Sequence, residues 1–234
     1  MAMDFLNPAH ESASQQANGP LLAWADRARP LAGSRGPGRT SPSQTDWAYW
    51  LDKVRWVFGY GSLIWNPDMP VRRGVPGRVD GYHRRFCISS TRYRGSPEQP
   101  GVVLGLDRGG SCQGMAWELL PGREADALDK LWLREMINGA YRPRLLRVRL
   151  KDGGRLNALS FIARREHPGY LRLNDDELLR RLAACQGDRG SNRDYLSHTV
   201  HALSFANGFA RLRGGSARSC SLVCQHHLDF WRLA

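Results

Sequence analysis

Apolar side chains alternate through Val54, Trp56, Phe58 and Tyr60, and the chain then passes through Gly59-Tyr60-Gly61-Ser62-Leu63 straight into Ile64 and Trp65. A period of two marks a strand with one buried face. The immediate return to Leu-Ile-Trp leaves no room for a polar loop, so the turn itself must lie against the core. Glycine lacks a Cβ and admits positive φ, which lets backbone approach a ligand closely. Successive peptide N–H groups in such a turn form a concavity for a carboxylate or a developing oxyanion. A tight turn between a strand and a buried segment accounts for the same residues, and both readings stand at this point. Ser62 does not fit a hydrolase nucleophile elbow, because Pro67 and Asp68 follow where that pattern needs a second glycine close behind the serine.

Downstream the alternation continues in short, glycine-punctuated pieces. "RVDGYHRRFCISS" (78–90), "GVVLGLD" and "CQGMAWELL" read as strands of an antiparallel meander or barrel. The period then changes. "PGREADALDKLWLREM" (121–136) has no breaker after Gly122 and reads as a helix. "LLRVRL" (145–150) and "RLNALSFIA" (155–163) flank Asp152-Gly153-Gly154, a hairpin signal. A helix is predicted over 174–187, with Asn174 at its start and Gly187 after its end. Another is predicted over 192–205, opened by Ser191 and Asp194 in a capping-box spacing. Strands with inserted helices predict an α+β fold built on a barrel-like sheet.

Residues 1–45 are rich in Ala, Gly, Pro, Ser and Gln and predict a disordered extension, within which 20–31 could form a short docking helix. The domain is expected over 46–205, with "TDWAYWLDK" (45–53) as a turn of helix leading in, and a tail over 206–234 packing back on it. No run of about 18 apolar residues occurs, which argues against a membrane-spanning helix. The start lacks the basic-then-apolar order of a secretory signal. Five scattered cysteines, an odd number, fit a reducing cytoplasm better than a disulfide framework. The formal charge of +12 raises nucleic acid as a partner. However, Lys stands only at 53, 130 and 151, so 31 of the 34 basic residues are Arg, dispersed rather than clustered. A basic surface that attracts a small anionic substrate is the better reading.

On the helix of 121–136, Ala125, Leu128, Leu131 and Trp132 share a face, and helical spacing brings Glu135 onto it. Burial would raise the pKa of such a carboxyl and suit it to act as a base near neutrality. A glutamate at a helix end that reaches solvent, or pairs with an arginine, gives the same pattern. "RYRGSPEQPG" (92–101) carries Arg94 in a turn able to grip a carboxylate, or to serve as a solvated tip. Cys220, Cys224, His226 and His227 match no standard zinc spacing, and His198 and His201 read as packing or surface residues of a helix. No metal or other cofactor is expected.

Taken together, "WVFGYGSLIWNP", "RRFC", "RGSPEQPGVVLGL", "CQGMAWEL", "LWLREMINGAYRP" and "GDRGSNRDYL", in this order, resemble the ChaC-like γ-glutamylcyclotransferases over roughly 56–203. The resemblance implies a small mixed β-barrel with flanking helices. It implies a cofactor-free enzyme that cleaves glutathione to 5-oxoproline and cysteinylglycine, with γ-glutamyl dipeptides or γ-glutamylamines as the alternative substrates and a non-catalytic binder as the alternative class. It assigns Val57, Phe58, Gly59, Tyr60, Gly61, Ser62 and Leu63 to the substrate-binding loop and Glu135 to catalysis. Tyr141 and Arg94 are matched to further substrate-binding positions. "INGA" between Glu135 and Tyr141 departs from the more glycine-rich spelling of the family.

Overall fold

The computed structural model describes residues 46–206. The extension expected over 1–45, its 20–31 helix, and the tail expected over 206–234 with its Cys and His residues, but for Ala206, lie outside the described residues. A 3-10 turn, Trp47–Trp50, leads in as expected, with the Asp46 side chain accepting the amide of Ala48.

Five strands close a barrel: β1 (Trp56–Gly59), β2 (Val71–Ser90), β3 (Gly101–Leu119), β4 (Tyr141–Leu150) and β5 (Arg155–Ala163), in the order β1-β3-β2-β4-β5. Most neighbours are antiparallel. The sheet is mixed because β5 runs parallel to β1 at Val57↔Leu159 and to β3 at Leu106↔Ile162. The β4–β5 hairpin turns where Asp152-Gly153-Gly154 predicts, with Gly153 at φ 87° and the Leu150 amide donating to the Gly154 carbonyl at 2.9 Å.

β2 and β3 are far longer than the sequence pattern implies. β2 starts at Val71 rather than 78, and "GVVLGLD" and "CQGMAWELL" are two halves of one strand. Alternation fails because register shifts interrupt β2 at Val71/Arg73, Asp80/Tyr82 and Phe86/Ile88. Gly81, Gly109 and Gly110 have positive φ beside the second of these. Bulges bend a paired ribbon and sharpen its twist, so this one long pair serves two sides of the barrel. Its β2 half reaches β4 at Gly77–Val79, and its β3 half reaches β1.

Adjacent residues of β1 point to opposite faces, and both faces are buried. Val57 joins Leu128, Leu131, Leu159 and Phe161 under the first helix. Phe58 joins Val79, Leu106, Val148 and Ile162 in the other core cluster. Each such side chain contributes about 1.5–3 kcal/mol on burial.

Helix α1 (Glu124–Glu135) follows a turn at Gly122, φ 79°. Acidic Glu124 and Asp126 in its first turn and Arg134 in its last complement the helix dipole. Ala127, Leu128 and Leu131 are its buried residues, so the apolar stripe passes through Ala127, with Ala125 only half-buried.

Asn174 caps α2 (Asp175–Ala184) by accepting the Glu177 amide at 2.9 Å. Gly187 does not end that helix. Cys185 is already extended, and the chain enters a two-residue ladder of β6 (Gln186–Gly187) and β7 (Gly190–Ser191). The Ser191 hydroxyl accepts the Asp194 amide at 3.0 Å and opens α3 (Asn192–Ala206). Asn192, fully buried, bonds both backbone groups of Val102: its Oδ1 accepts the amide at 2.6 Å and its Nδ2 donates to the carbonyl at 2.7 Å. That pair fixes α3 on β3. Among the described residues, no helix is long and apolar enough to cross a membrane.

Candidate active site

Beyond Gly59 the chain leaves the sheet and makes a 3-10 turn, Ser62–Ile64, with Gly61 as its N-cap. Neither Gly59 nor Gly61 has positive φ. Space, not handedness, requires them. A Cβ on Gly59 would stand 2.8 Å from that of Leu63, and one on Gly61 would stand 3.2 Å from the Tyr195 hydroxyl. The first amides of a helical turn have no intrahelical carbonyl to meet, which leaves this turn's N–H groups suited to an anionic or carbonyl oxygen.

The turn forms one wall of a cavity of about 350 Å³. Opposite lies the C-terminal end of α1 with Glu135, whose side chain keeps 13% of its surface exposed. Burial holds the Glu135 carboxyl above the usual glutamate range, partly offset by the positive charges of Arg134 and Arg189. Arg134 is buried to a similar degree and ties the two walls together. Its Nε lies 3.1 Å from Glu135 Oε1, its Nη2 donates to Ser62 Oγ at 2.6 Å, and its Nη1 donates to the Asn66 carbonyl at 2.7 Å. Glu135 is not a solvent-facing acid: its carboxyl is largely buried, and at the end of α1 it also pairs with an arginine, the alternative arrangement that the sequence left open.

Three tyrosines complete the inner end. The Tyr60 hydroxyl donates to the Phe161 carbonyl at 2.8 Å, and that of Tyr141 to the Leu104 carbonyl at 3.0 Å. The Tyr195 hydroxyl accepts the Leu104 amide at 3.2 Å. Burial raises all three phenols: Tyr60 and Tyr141 well above their ordinary value, Tyr195 to about 12. They are neutral near pH 7.

A third wall is the 91–100 loop. Arg94 donates from Nη1 to the Ser191 carbonyl at 3.0 Å, and its guanidinium lies 5.4 Å from the Tyr195 ring centroid. Partial burial lowers its pKa, opposed by Tyr195 and Asp194.

Of the loop residues singled out by sequence, Tyr60, Gly61, Ser62 and Leu63 line the cavity with Glu135, Arg94 and Tyr141. Val57 and Phe58 have no exposed surface and belong to the core, and Gly59 supports the turn from beneath without lining the cavity. Sequence reasoning gave no role to Arg134, Tyr195 or Arg189, which also line it. The Asp-Tyr-Leu element that contains Tyr195 was visible, but its meeting with Leu104, 91 residues earlier, was not. Among the described residues, no group of three or more His, Cys, Asp or Glu side chains is placed to hold a metal ion.

A family model described as ChaC-like protein matches residues 55–208. The chain is 40% identical over 142 residues to the glutathione-specific gamma-glutamylcyclotransferase of Escherichia coli (strain K12), a match covering 60% of this chain and 62% of that one. It is 35% identical over 191 residues to glutathione-specific gamma-glutamylcyclotransferase 1 of Mus musculus, covering 80% of this chain and 79% of the mouse protein. In fold, it is similar to the crystal structure of the selenomethionine-labelled cyclotransferase specific to glutathione from yeast, with a TM-score of 0.64 at 22% identity over 72% of this chain and 93% of that one.

Proposed function

We propose, from the premise that the chain belongs to the ChaC-like family, that it is a glutathione-specific γ-glutamylcyclotransferase releasing 5-oxoproline and cysteinylglycine. The observation that carries the site assignment is Glu135: a largely buried carboxyl with a raised pKa, lining one cavity with Ser62 and Leu63 and joined to Ser62 through Arg134.

The reaction closes a five-membered lactam. The substrate's α-amine loses a proton, attacks its own γ-carbonyl, and the departing peptide amine gains a proton. Glu135 takes the first proton and returns it to the leaving amine, a sequence one carboxyl can perform. Its elevated pKa serves both halves, since an ordinary glutamate is too weak a base to accept the proton readily. The attack is intramolecular, so holding the glutamyl chain in its reactive fold supplies much of the acceleration; well-oriented cases reach effective molarities of about 10⁵–10⁸ M. Backbone N–H groups of the Gly61–Leu63 segment face the tetrahedral oxyanion. Tyr141 and Arg94 bound the space left for the glutamyl group. We assign residues 46–205 to the catalytic domain and the protein to the cytoplasm, in keeping with the buried thiols of Cys87, Cys112 and Cys185.

Purified protein incubated with glutathione is expected to yield 5-oxoproline and cysteinylglycine by mass spectrometry, while the Glu135→Gln variant yields neither. Full activity in that variant removes Glu135 from the mechanism. No turnover by the folded wild type removes the activity.

A further inference from the structure

One side of the cavity mouth is built from two loops held backbone to backbone. The Asp188 amide donates to the Arg92 carbonyl at 2.8 Å, and the Arg189 amide donates to the Tyr93 carbonyl at 3.0 Å. Gly187 makes this approach possible, because a Cβ there would run into the Arg92 carbonyl. The result is a fixed arrangement of side chains. Tyr93 carries the Arg189 guanidinium 4.1 Å from its ring centroid and the Arg92 guanidinium at 5.6 Å. Arg92 is also 3.3 Å from Asp188. Arg189 is exposed and lines the cavity, and its charge bears on Glu135.

The other three cavity arginines have different settings, Arg92 lying beside Asp188 and near the Tyr93 ring. Arg134 is committed to Ser62, Asn66 and Glu135. Arg94 is half-buried against Tyr195 and Ser191. Resting on the glutathione reading above, the γ-glutamyl carbonyl must lie near buried Glu135. The remaining two residues of an extended tripeptide then reach about 7 Å farther, toward the mouth through which the dipeptide leaves. That end carries a carboxylate. A guanidinium matches a carboxylate in a planar, two-pronged geometry, and stacking on an aromatic face keeps it pre-ordered.

We infer that Arg189, stacked on Tyr93, binds the terminal carboxylate of the leaving dipeptide and so selects peptides with a free C-terminus over γ-glutamylamines, which lack that carboxylate.

The test compares glutathione with glutathione amidated at its C-terminus. Because Arg189 also bears on the charge of Glu135, a rate alone mixes two effects, whereas the ratio of kcat/KM for the two compounds separates them. Wild type is expected to favour the free acid by about tenfold, the loss of one partly exposed charged hydrogen-bonding pair. Arg189→Met brings the ratio near one, and Arg189→Lys retains part of the preference. A wild-type ratio in Arg189→Met, or no preference in the wild type, overturns the inference while the activity stands. A folded wild type inert toward both compounds overturns the activity itself and the inference with it.

Discussion

The Tyr195 hydroxyl accepts the amide of Leu104 at 3.2 Å and sits 3.2 Å from the point where a Cβ on Gly61 would be. Helix α3, strand β3 and the turn after β1 therefore meet at one oxygen. Gly61→Ala forces Tyr195 to yield by a few tenths of an ångström, which disturbs the inner cavity without breaking the core. The expected outcome is a folded protein with a raised KM. Gly59→Ala instead meets the Leu63 Cβ at 2.8 Å and its backbone at 3.0 Å. That change is expected to cost about 1–3 kcal/mol of stability. Thermal melts and steady-state kinetics on the pair check both, and an equal loss of stability in the two would refute the distinction.

Glu135→Gln is expected to lower kcat by about 10²–10⁴-fold, the usual range for losing a general acid–base group. Its effect on stability has a definite sign. A carboxyl raised on folding contributes stability below its unfolded pKa, and that contribution fades as pH rises through the folded value. The glutamine variant carries no such loss. Its melting temperature relative to wild type should therefore climb as pH rises above the ordinary glutamate value of 4.5, as followed by calorimetry.

Activity should follow the same carboxyl. The base must be ionised, so the acid limb of kcat/KM is expected above the ordinary glutamate value of 4.5. Arg134 lowers the Glu135 pKa, and Arg134→Met should move that limb to still higher pH while also releasing Ser62 and the Asn66 carbonyl. Arg134→Lys, which keeps the charge but not the fork, should restore the limb more fully than the rate. A pH profile unchanged in Arg134→Met would separate the arginine from the base.

Asn192→Ala leaves both backbone groups of Val102 without their buried partner. The expected cost is about 2–4 kcal/mol, measured by urea unfolding. Since Tyr195 shares that helix, activity should fall even at temperatures where the variant stays folded.

Local chemistry made some of this legible in the sequence. Asp152-Gly153-Gly154 announces its hairpin because a turn needs only its own residues, and Asn174 announces a helix start for the same reason. Glu135 was found because helical spacing carries it onto the face of Leu128 and Leu131. The full lengths of β2 and β3 were hidden, since each bulge shifts the alternation by one residue and the pattern reads as an ending. Gly187 was read as a helix stop, but its role is set by the Arg92 carbonyl, 95 positions away in the chain. Val57 and Phe58 entered the expected loop through the family resemblance, and strand geometry buries one on each face. Tyr195 gained no role, and neither did Arg134, because Leu104 for the one and Ser62 and Asn66 for the other come near only in the folded chain.

The parallel contact between β1 and β5 also sets an order of events during synthesis. Tyr60 finds the Phe161 carbonyl across 101 residues of chain, and at about 5–20 residues per second the first strand waits roughly 5–20 s for its seam to be made. Asn192 and Tyr195 emerge later still. A nascent chain thus holds Glu135 long before it holds a cavity, and that cavity is complete only once α3 has locked onto β3.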